Sequence, residues 1–105
     1  MVTNRRAAPA FRALADPIRR EILTLLADQQ LPVHAIAEEF AVSRPAVSKH
    51  LRILKQAGLV RDTPKGRTTY YRLEPGPLAE VERWVRSLWQ DRLGRLKTLV
   101  EKGER

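Results

Sequence analysis

The centre of the chain reads SRPAVSKHLRILKQAG from Ser43 to Gly58. Within it Val47, Leu51 and Leu54 recur at helical spacing, which makes one face of a helix apolar. Ser43 is a favourable N-cap residue, and Gly58 is the residue expected just past the end of a helix. The stretch therefore predicts a helix that is capped by Ser43 and ends at Gly58.

A shorter helix is predicted immediately before this one. Its apolar stripe consists of Val33, Ile36, Ala37 and Phe40. Only a few residues separate the stripe from Ser43, and two helices joined by so tight a turn form a helix-turn-helix. We expect this motif to span residues 33–57.

Two further helices are predicted upstream. Phe11 and Leu14, three residues apart, indicate a short helix over residues 7–15. Asp16 and Pro17 end it and begin the next helix, which runs to residue 27, because Asp caps a helix and Pro fits its first position. Residues 29–32 are predicted to form a polar turn.

Residues 59–73 predict a β-hairpin. Segments 59–63 and 68–73 are rich in β-branched and aromatic residues, and PKGR at 64–67 is typical of a hairpin loop. A hairpin with a basic tip directly after a helix-turn-helix is a wing. Alternation along the second strand predicts that Tyr71 faces the core and leaves the environment of Tyr70 open.

A long helix is predicted over residues 77–102. From Leu78 to Glu101 it would be roughly 36 Å long, more than a domain of about 13 Å radius of gyration can cover. We therefore expect a homodimer, in which a second copy covers the surplus apolar surface. The expected dimer interface consists of Phe11, Leu14, Leu78, Val81, Trp84, Val85, Leu88, Trp89, Leu93 and Leu96.

These elements predict one domain over residues 1–105. Its fold class is mainly α with a small β-hairpin (α+β): a winged helix-turn-helix with a long C-terminal dimerisation helix. The length suits a single core but is near the size at which a partner subunit helps.

Positive charge is concentrated in the helix-turn-helix and wing. The formal net charge is +8, and residues 43–73 account for seven of these charges, with eight Lys and Arg against Asp62 alone. The flanking segments are nearly neutral. A focused basic surface indicates nucleic acid, because it displaces counterions from phosphates.

The face of the central helix opposite Val47 is the predicted DNA-reading surface. Short donors near its N-terminal end can reach base edges, and longer cations can reach bases or phosphates. The candidate DNA-binding residues are Ser43, Arg44, Pro45, Ser48, Lys49, His50, Arg52 and Lys55 on the helix and Lys65 and Arg67 at the hairpin tip. For each residue alone, an ordinary solvated basic face is the alternative.

Composition argues against several other functions. The chain has no cysteine and only two histidines, His34 and His50. We expect no metal site, no cofactor and no enzymatic activity, because neither a ligand set nor a nucleophile–base pair is available. No apolar run is long enough to insert in a membrane, and we expect a cytoplasmic protein.

Three blocks of sequence, in this order and spacing, resemble the ArsR-type winged-helix repressors. They read FRALADPIRREIL at 11–23, SRPAVSKHL at 43–51 and AGLV at 57–60. The resemblance covers nearly the whole chain. It implies a homodimer, joined by its first and last helices, that binds an operator and represses transcription, commonly of its own operon.

The sequence departs from the metal-sensing members of that family. Many of them use a cysteine pair before the recognition helix, or His and carboxylates on the last helix. This chain has no cysteine and no histidine after His50, so it resembles the metal-independent, SdpR-like autorepressors, which a partner protein or the expression level controls. Ala41 stands where many helix-turn-helix proteins have Gly, which predicts slight strain in the turn.

The leading hypothesis is a dimeric, sequence-specific repressor of a palindromic operator in double-stranded DNA. Two alternatives stay open: an architectural protein that binds any duplex, and a winged helix used for protein contact. The sequence also leaves open an apolar ligand at the dimer seam near Trp84 and Trp89.

Overall fold

The computed structural model describes residues 7–103, so positions 1–6 and 104–105 of the predicted domain lie outside the described residues. The described part folds as predicted, mainly helical with a small sheet and a long last helix. Its elements are α1 (Ala8–Leu14), α2 (Pro17–Leu25), β1 (Leu31–Pro32), α3 (Val33–Glu38), α4 (Arg44–Gln56), β2 (Val60–Lys65), β3 (Thr68–Leu73) and α5 (Gly76–Gly103).

The core lies where α2, α3 and α4 meet. Its largest fully buried side chains are Ile22, Leu26, Ile36, Val47, Leu51, Leu54 and Leu59. The small residues Ala10 and Ala13 are the buried residues of α1, while Phe11 and Leu14 are half-buried. α1 thus approaches the core closely through its alanines, and its larger side chains lie at the periphery of the core.

The sheet has three strands in the order β1-β3-β2. The prediction of a simple turn over residues 29–32 is therefore wrong in part, because Leu31 and Pro32 pair antiparallel with Tyr71 and Tyr70. The reason is local: Pro32, the residue before α3, has an extended backbone and is buried. Two residues are too few to show the alternation that identifies a strand.

The wing turn is tighter than predicted. The loop was expected over residues 64–67, but Pro64 and Lys65 belong to β2 and pair with Thr69 and Thr68. β2 is an edge strand, where a proline is tolerated because its missing N–H costs no sheet hydrogen bond. The connection is Gly66-Arg67, with Gly66 at φ +64°, the conformation a two-residue hairpin needs at its first position.

The predicted ends of α4 are confirmed. The Ser43 hydroxyl accepts the backbone N–H of Ala46 at 3.2 Å, and Gly58 follows the helix at φ +74°. The strain expected at Ala41 is absent, because among the described residues only glycines have positive φ. The turn before α4 therefore closes without a left-handed residue.

α5 is attached to the domain only at its N-terminal end. Leu78 and Val81 pack against the core, and the rings of Phe11 and Trp84 meet edge to face at 5.2 Å. From Glu82 to Val100 every residue is exposed, and the described chain extends 69 Å along its longest axis. More than half of α5 thus lies beyond its own domain.

Asp16 caps α2, and its loss is expected to reduce stability. Its Oδ1 accepts the backbone N–H groups of Ile18 at 2.8 Å and Arg19 at 3.1 Å. Asp16→Ala should lower the free energy of unfolding by about 1 kcal/mol at neutral pH, the usual value of an N-cap. Urea unfolding followed by tryptophan fluorescence measures this, with Asp28→Ala at an exposed position as the control.

The same cap predicts a pH dependence. The Arg19 and then the Ile18 backbone N–H hold the pKa of Asp16 below its ordinary value of 3.8, against the opposing effect of burial. A carboxyl group with a depressed folded pKa stabilises the fold above its unfolded pKa and loses this effect as the pH falls through the folded value. The difference between wild type and Asp16→Ala should therefore shrink below about pH 4. An undiminished difference in acid would contradict this assignment.

Candidate nucleic-acid interface

The exposed strip of α4 lies opposite its buried face. Val47, Leu51 and Leu54 are buried, so the helix turns its remaining positions to solvent. The exposed residues of the helix are Arg44, Pro45, Ser48, Lys49, Arg52, Lys55 and Gln56. A major groove admits a helix of this kind, and serine, lysine and arginine side chains supply donors to base edges and phosphates.

The N-terminal turn of α4 leaves few backbone N–H groups for an anion. The Ser43 hydroxyl accepts from Ala46, the N–H of Val47 donates to the Ser43 carbonyl at 3.0 Å, and Pro45 has no N–H. Ser43 therefore acts as a cap here. Arg44, exposed at the first position, is the residue of this turn suited to an anion.

Lys55 is held by the wing. Its Nζ lies 2.9 Å from Oδ2 of Asp62 in β2, a contact that joins the end of α4 to the hairpin. The hydrogen bond raises the pKa of Lys55 and lowers the pKa of Asp62. Arg61 is engaged in the same way, 3.1 Å from Glu74. Lys55, one of the basic residues predicted to bind DNA, is thus already paired with a carboxylate.

Removing this pair should change the salt dependence of DNA binding. Asp62→Asn is expected to free Lys55 for a phosphate, so the slope of log affinity against log salt should steepen by about 0.9, the value for one contact. Anisotropy titrations at several salt concentrations measure this slope. The control is Asp62→Asn combined with Lys55→Ala, which should restore the original slope; a steeper slope in both variants would exclude Lys55 as the cause.

The tip of the wing presents two cations. Arg67 is exposed in the turn, and the Nζ of Lys65 lies 5.4 Å from the centre of the Tyr70 ring. Tyr71 packs against the core, as predicted, and the open question about Tyr70 is answered by its place beneath Lys65. The aromatic contact orients Lys65 at the outer end of the hairpin.

Arg19 also contacts the predicted DNA-reading surface, and sequence reasoning did not predict this contact. From the start of α2 its guanidinium reaches the carbonyl groups of Ala13 and Arg12 and, at 3.4 Å, Nδ1 of His50. His50 is half-buried at the border of the exposed strip. Arg19 and His50 are 31 positions apart, and no local pattern indicates such a contact.

The two histidines lie on different helices and differ in exposure. His34 is exposed on α3, and His50 lies half-buried on α4. In the part of the chain that the structure describes, no group of three or more His, Asp or Glu is arranged to hold a metal ion. Within those same residues, no helix is both long and apolar enough to span a membrane.

The predicted dimer residues fall into two groups. Leu14, Leu78 and Val81 pack against the core of their own domain, and Phe11 contacts Trp84. The others are exposed along α5: Trp84, Val85, Leu88, Trp89, Leu93 and Leu96. The exposed face continues through Leu99, which the sequence pattern did not single out, and Val100.

Comparison with known proteins identifies the family. The model of the arsR family of bacterial regulatory proteins matches residues 16–62. The HTH-type transcriptional regulator Rv2034 of Mycobacterium tuberculosis is 41% identical over 101 residues, which cover 96% of this chain and 94% of the relative. This chain belongs to the ArsR family. The transcriptional repressor SdpR of Bacillus subtilis is 43% identical over 71% of the chain and 83% of its own length.

Solved structures of ArsR proteins agree with this assignment. The ArsR family transcriptional regulator RHA00566 superposes with a TM-score of 0.75 at 30% identity, over 85% of this chain and 95% of that one. An ArsR-like regulator from Rhodococcus sp. RHA1 gives 0.72 at 34% identity, over 90% and 92%. The ArsR family consists of transcriptional regulators, so the predictions of a DNA-binding regulator with a winged-helix fold and no enzymatic role are confirmed.

Proposed function

We propose that this ArsR-family chain is a cytoplasmic, homodimeric repressor that binds a palindromic operator. The observation that carries the proposal is the exposed strip of α4, where Ser48, Lys49 and Arg52 stand opposite a fully buried face. In this proposal α4 enters the major groove, Ser48 and Arg52 contact bases, and Lys49 and Arg44 contact phosphates. The wing extends this contact along the flanking backbone.

Dimerisation is supported by the exposed half of α5. Trp89 is 59% exposed and Leu93 is 56% exposed. Contiguous exposed apolar side chains of this size usually mark an interaction surface. A two-fold dimer through this face would present two copies of α4 to one side of a duplex. Half-sites about 34 Å apart, one helical turn, would then match the symmetry of the protein.

We propose that repression requires no thiolate-bound metal. A chain without cysteine cannot form such a site, and its two histidines lie on different helices. The resemblance to SdpR-like proteins supports control by a partner protein or by expression level, and repression of the chain's own operon.

Selection from a random duplex library, followed by a reporter assay, tests this function. The expected outcome is an enriched palindrome that also occurs upstream of the gene, and repression of a reporter fused to that upstream region. Added Zn²⁺ or a chelator should leave repression unchanged. Enrichment of no sequence would favour an architectural role, and an enriched palindrome absent from the upstream region would remove autoregulation from the proposal.

The wing is expected to add affinity without reading sequence. Lys65→Ala and Arg67→Ala should each reduce the salt slope by about 0.9, because each removes one phosphate contact. Specific and scrambled duplexes should lose affinity equally. A salt slope identical to that of wild type would show that the wing does not touch the backbone.

A further inference from the structure

The guanidinium of Arg19 is fixed by the end of α1. Its Nε donates to the carbonyl oxygen of Ala13 at 2.7 Å, and its Nη2 donates to that of Arg12 at 3.3 Å. Both carbonyls lie in the last turn of α1, and that of Arg12 also accepts the backbone N–H of Ala15 at 3.3 Å. Two bonds hold the planar group in one orientation, and its remaining nitrogen, Nη1, faces α4.

That third nitrogen lies against the ring of His50. Nη1 lies 3.4 Å from Nδ1 of His50. A guanidinium keeps its protons and has no acceptor, so the contact is a hydrogen bond only when Nδ1 carries a lone pair. The Asp16 carboxylate, whose Oδ1 accepts two backbone N–H groups of α2, also interacts electrostatically with His50. When Nδ1 accepts from Arg19, the ring carries its proton on Nε2.

Resting on the proposed function, we propose that Arg19 is a positioning residue for DNA binding: it fixes the tautomer of His50 whose Nε2–H donates to an operator phosphate. His50 lies on the flank of α4 beside the α1–α2 corner rather than in the middle of the exposed strip. Phosphate oxygens line both edges of a major groove, so the acceptor expected at the flank of a helix lying in that groove is a phosphate oxygen. A neutral donor adds affinity there without reading a base.

Two amide substitutions of His50 test the donor directly. The side-chain nitrogen of Gln reaches about as far as Nε2, whereas the amide of Asn ends near the place of Nδ1. His50→Gln should bind operator within about threefold of wild type, and His50→Asn should bind about tenfold more weakly, the usual effect of losing a hydrogen bond to a charged group. The reverse order would mean that His50 serves only to hold Arg19, and would overturn the proposal.

A double-mutant cycle tests whether Arg19 acts through His50. Arg19→Met should weaken operator binding in the native background and have a smaller effect together with His50→Gln, because an amide donor has no tautomer to fix. Equal losses in both backgrounds would overturn the proposal. So would a salt slope reduced by about 0.9 in Arg19→Met, since Arg19 would then contact a phosphate itself.

The tautomer is measured in the free protein, without DNA. Long-range ¹⁵N–¹H NMR correlations distinguish Nε2–H, Nδ1–H and the imidazolium, and His34→Gln assigns the two histidines of the chain. We expect His50 to be protonated on Nε2 alone at neutral pH, and Arg19→Met to change this state while that of His34 stays constant. Protonation on Nδ1 in the wild type would overturn the inference. A wild type without operator preference would instead contradict the proposed function and leave the NMR result unaffected.

Discussion

Leu93→Glu combined with Leu96→Glu is expected to give a folded monomer that binds the operator at least about a hundredfold more weakly than the wild type. Joining two binding modules raises avidity by a factor of about 10²–10⁴ through effective concentration alone, and a monomer loses this factor. Both residues are exposed on the half of α5 beyond its own domain. The substitutions therefore oppose dimerisation, because carboxylates are costly to bury without partners, and leave the monomer core untouched.

Sedimentation equilibrium gives the oligomeric state, and anisotropy gives the affinity for an operator duplex. Ser87→Glu combined with Thr98→Glu is the matched control, because it adds the same charge to the opposite face of α5. Both control side chains are exposed and bond only to carbonyl groups of α5 itself. We expect the control to stay dimeric. A dimeric Leu93→Glu/Leu96→Glu variant would show that the exposed face is not the subunit contact.

Arg52→Ala is expected to cost about 1–3 kcal/mol of operator affinity, or about five- to 150-fold, and to relax selectivity at one base position. Arg52 is exposed on α4, and among the described residues it takes part in no ion pair. Its guanidinium therefore suits a bidentate contact to guanine, the commonest specific contact in a major groove. Ser48→Ala should act in the same direction with a smaller loss, because a hydroxyl makes a single bond.

Titrations against operator and scrambled duplexes measure this difference. The matched control is Arg83→Ala, which removes one exposed positive charge from α5 at a distance from α4. The control should leave the preference for operator unchanged. If Arg52→Ala weakened binding to both duplexes equally, Arg52 would be a phosphate contact instead of a base contact.

The elements that sequence reasoning predicted are those whose signals are local. α4 could be placed because its cap, its buried face and its terminal glycine lie within 16 consecutive residues, 43–58. The wing followed from strand propensity on either side of a glycine. The exact turn was not predicted, because Pro64 is strand-compatible only on an edge, and the sheet order that makes β2 an edge depends on the tertiary fold.

What sequence reasoning missed depends on distant contacts. β1 is a strand only because β3 lies beside it, and Leu31 pairs with Tyr71, 40 positions further along the chain. The pairing of Lys55 with Asp62 requires the hairpin to fold back on the end of α4. Arg19 reaches His50 because α1 and α2 meet at a corner beside α4. In each case the sequence shows the residue type, but it does not show which distant residue is the partner.

The central claim is that α4 reads a specific DNA sequence. Its most direct test is a fluorescence-anisotropy titration of the wild type at near-physiological salt, with the duplex enriched by selection compared with a scrambled duplex of equal length. We expect a preference of about a thousandfold or more, the range of specific DNA-binding regulators. Equal binding to the two duplexes would contradict the claim and leave an architectural, sequence-independent role.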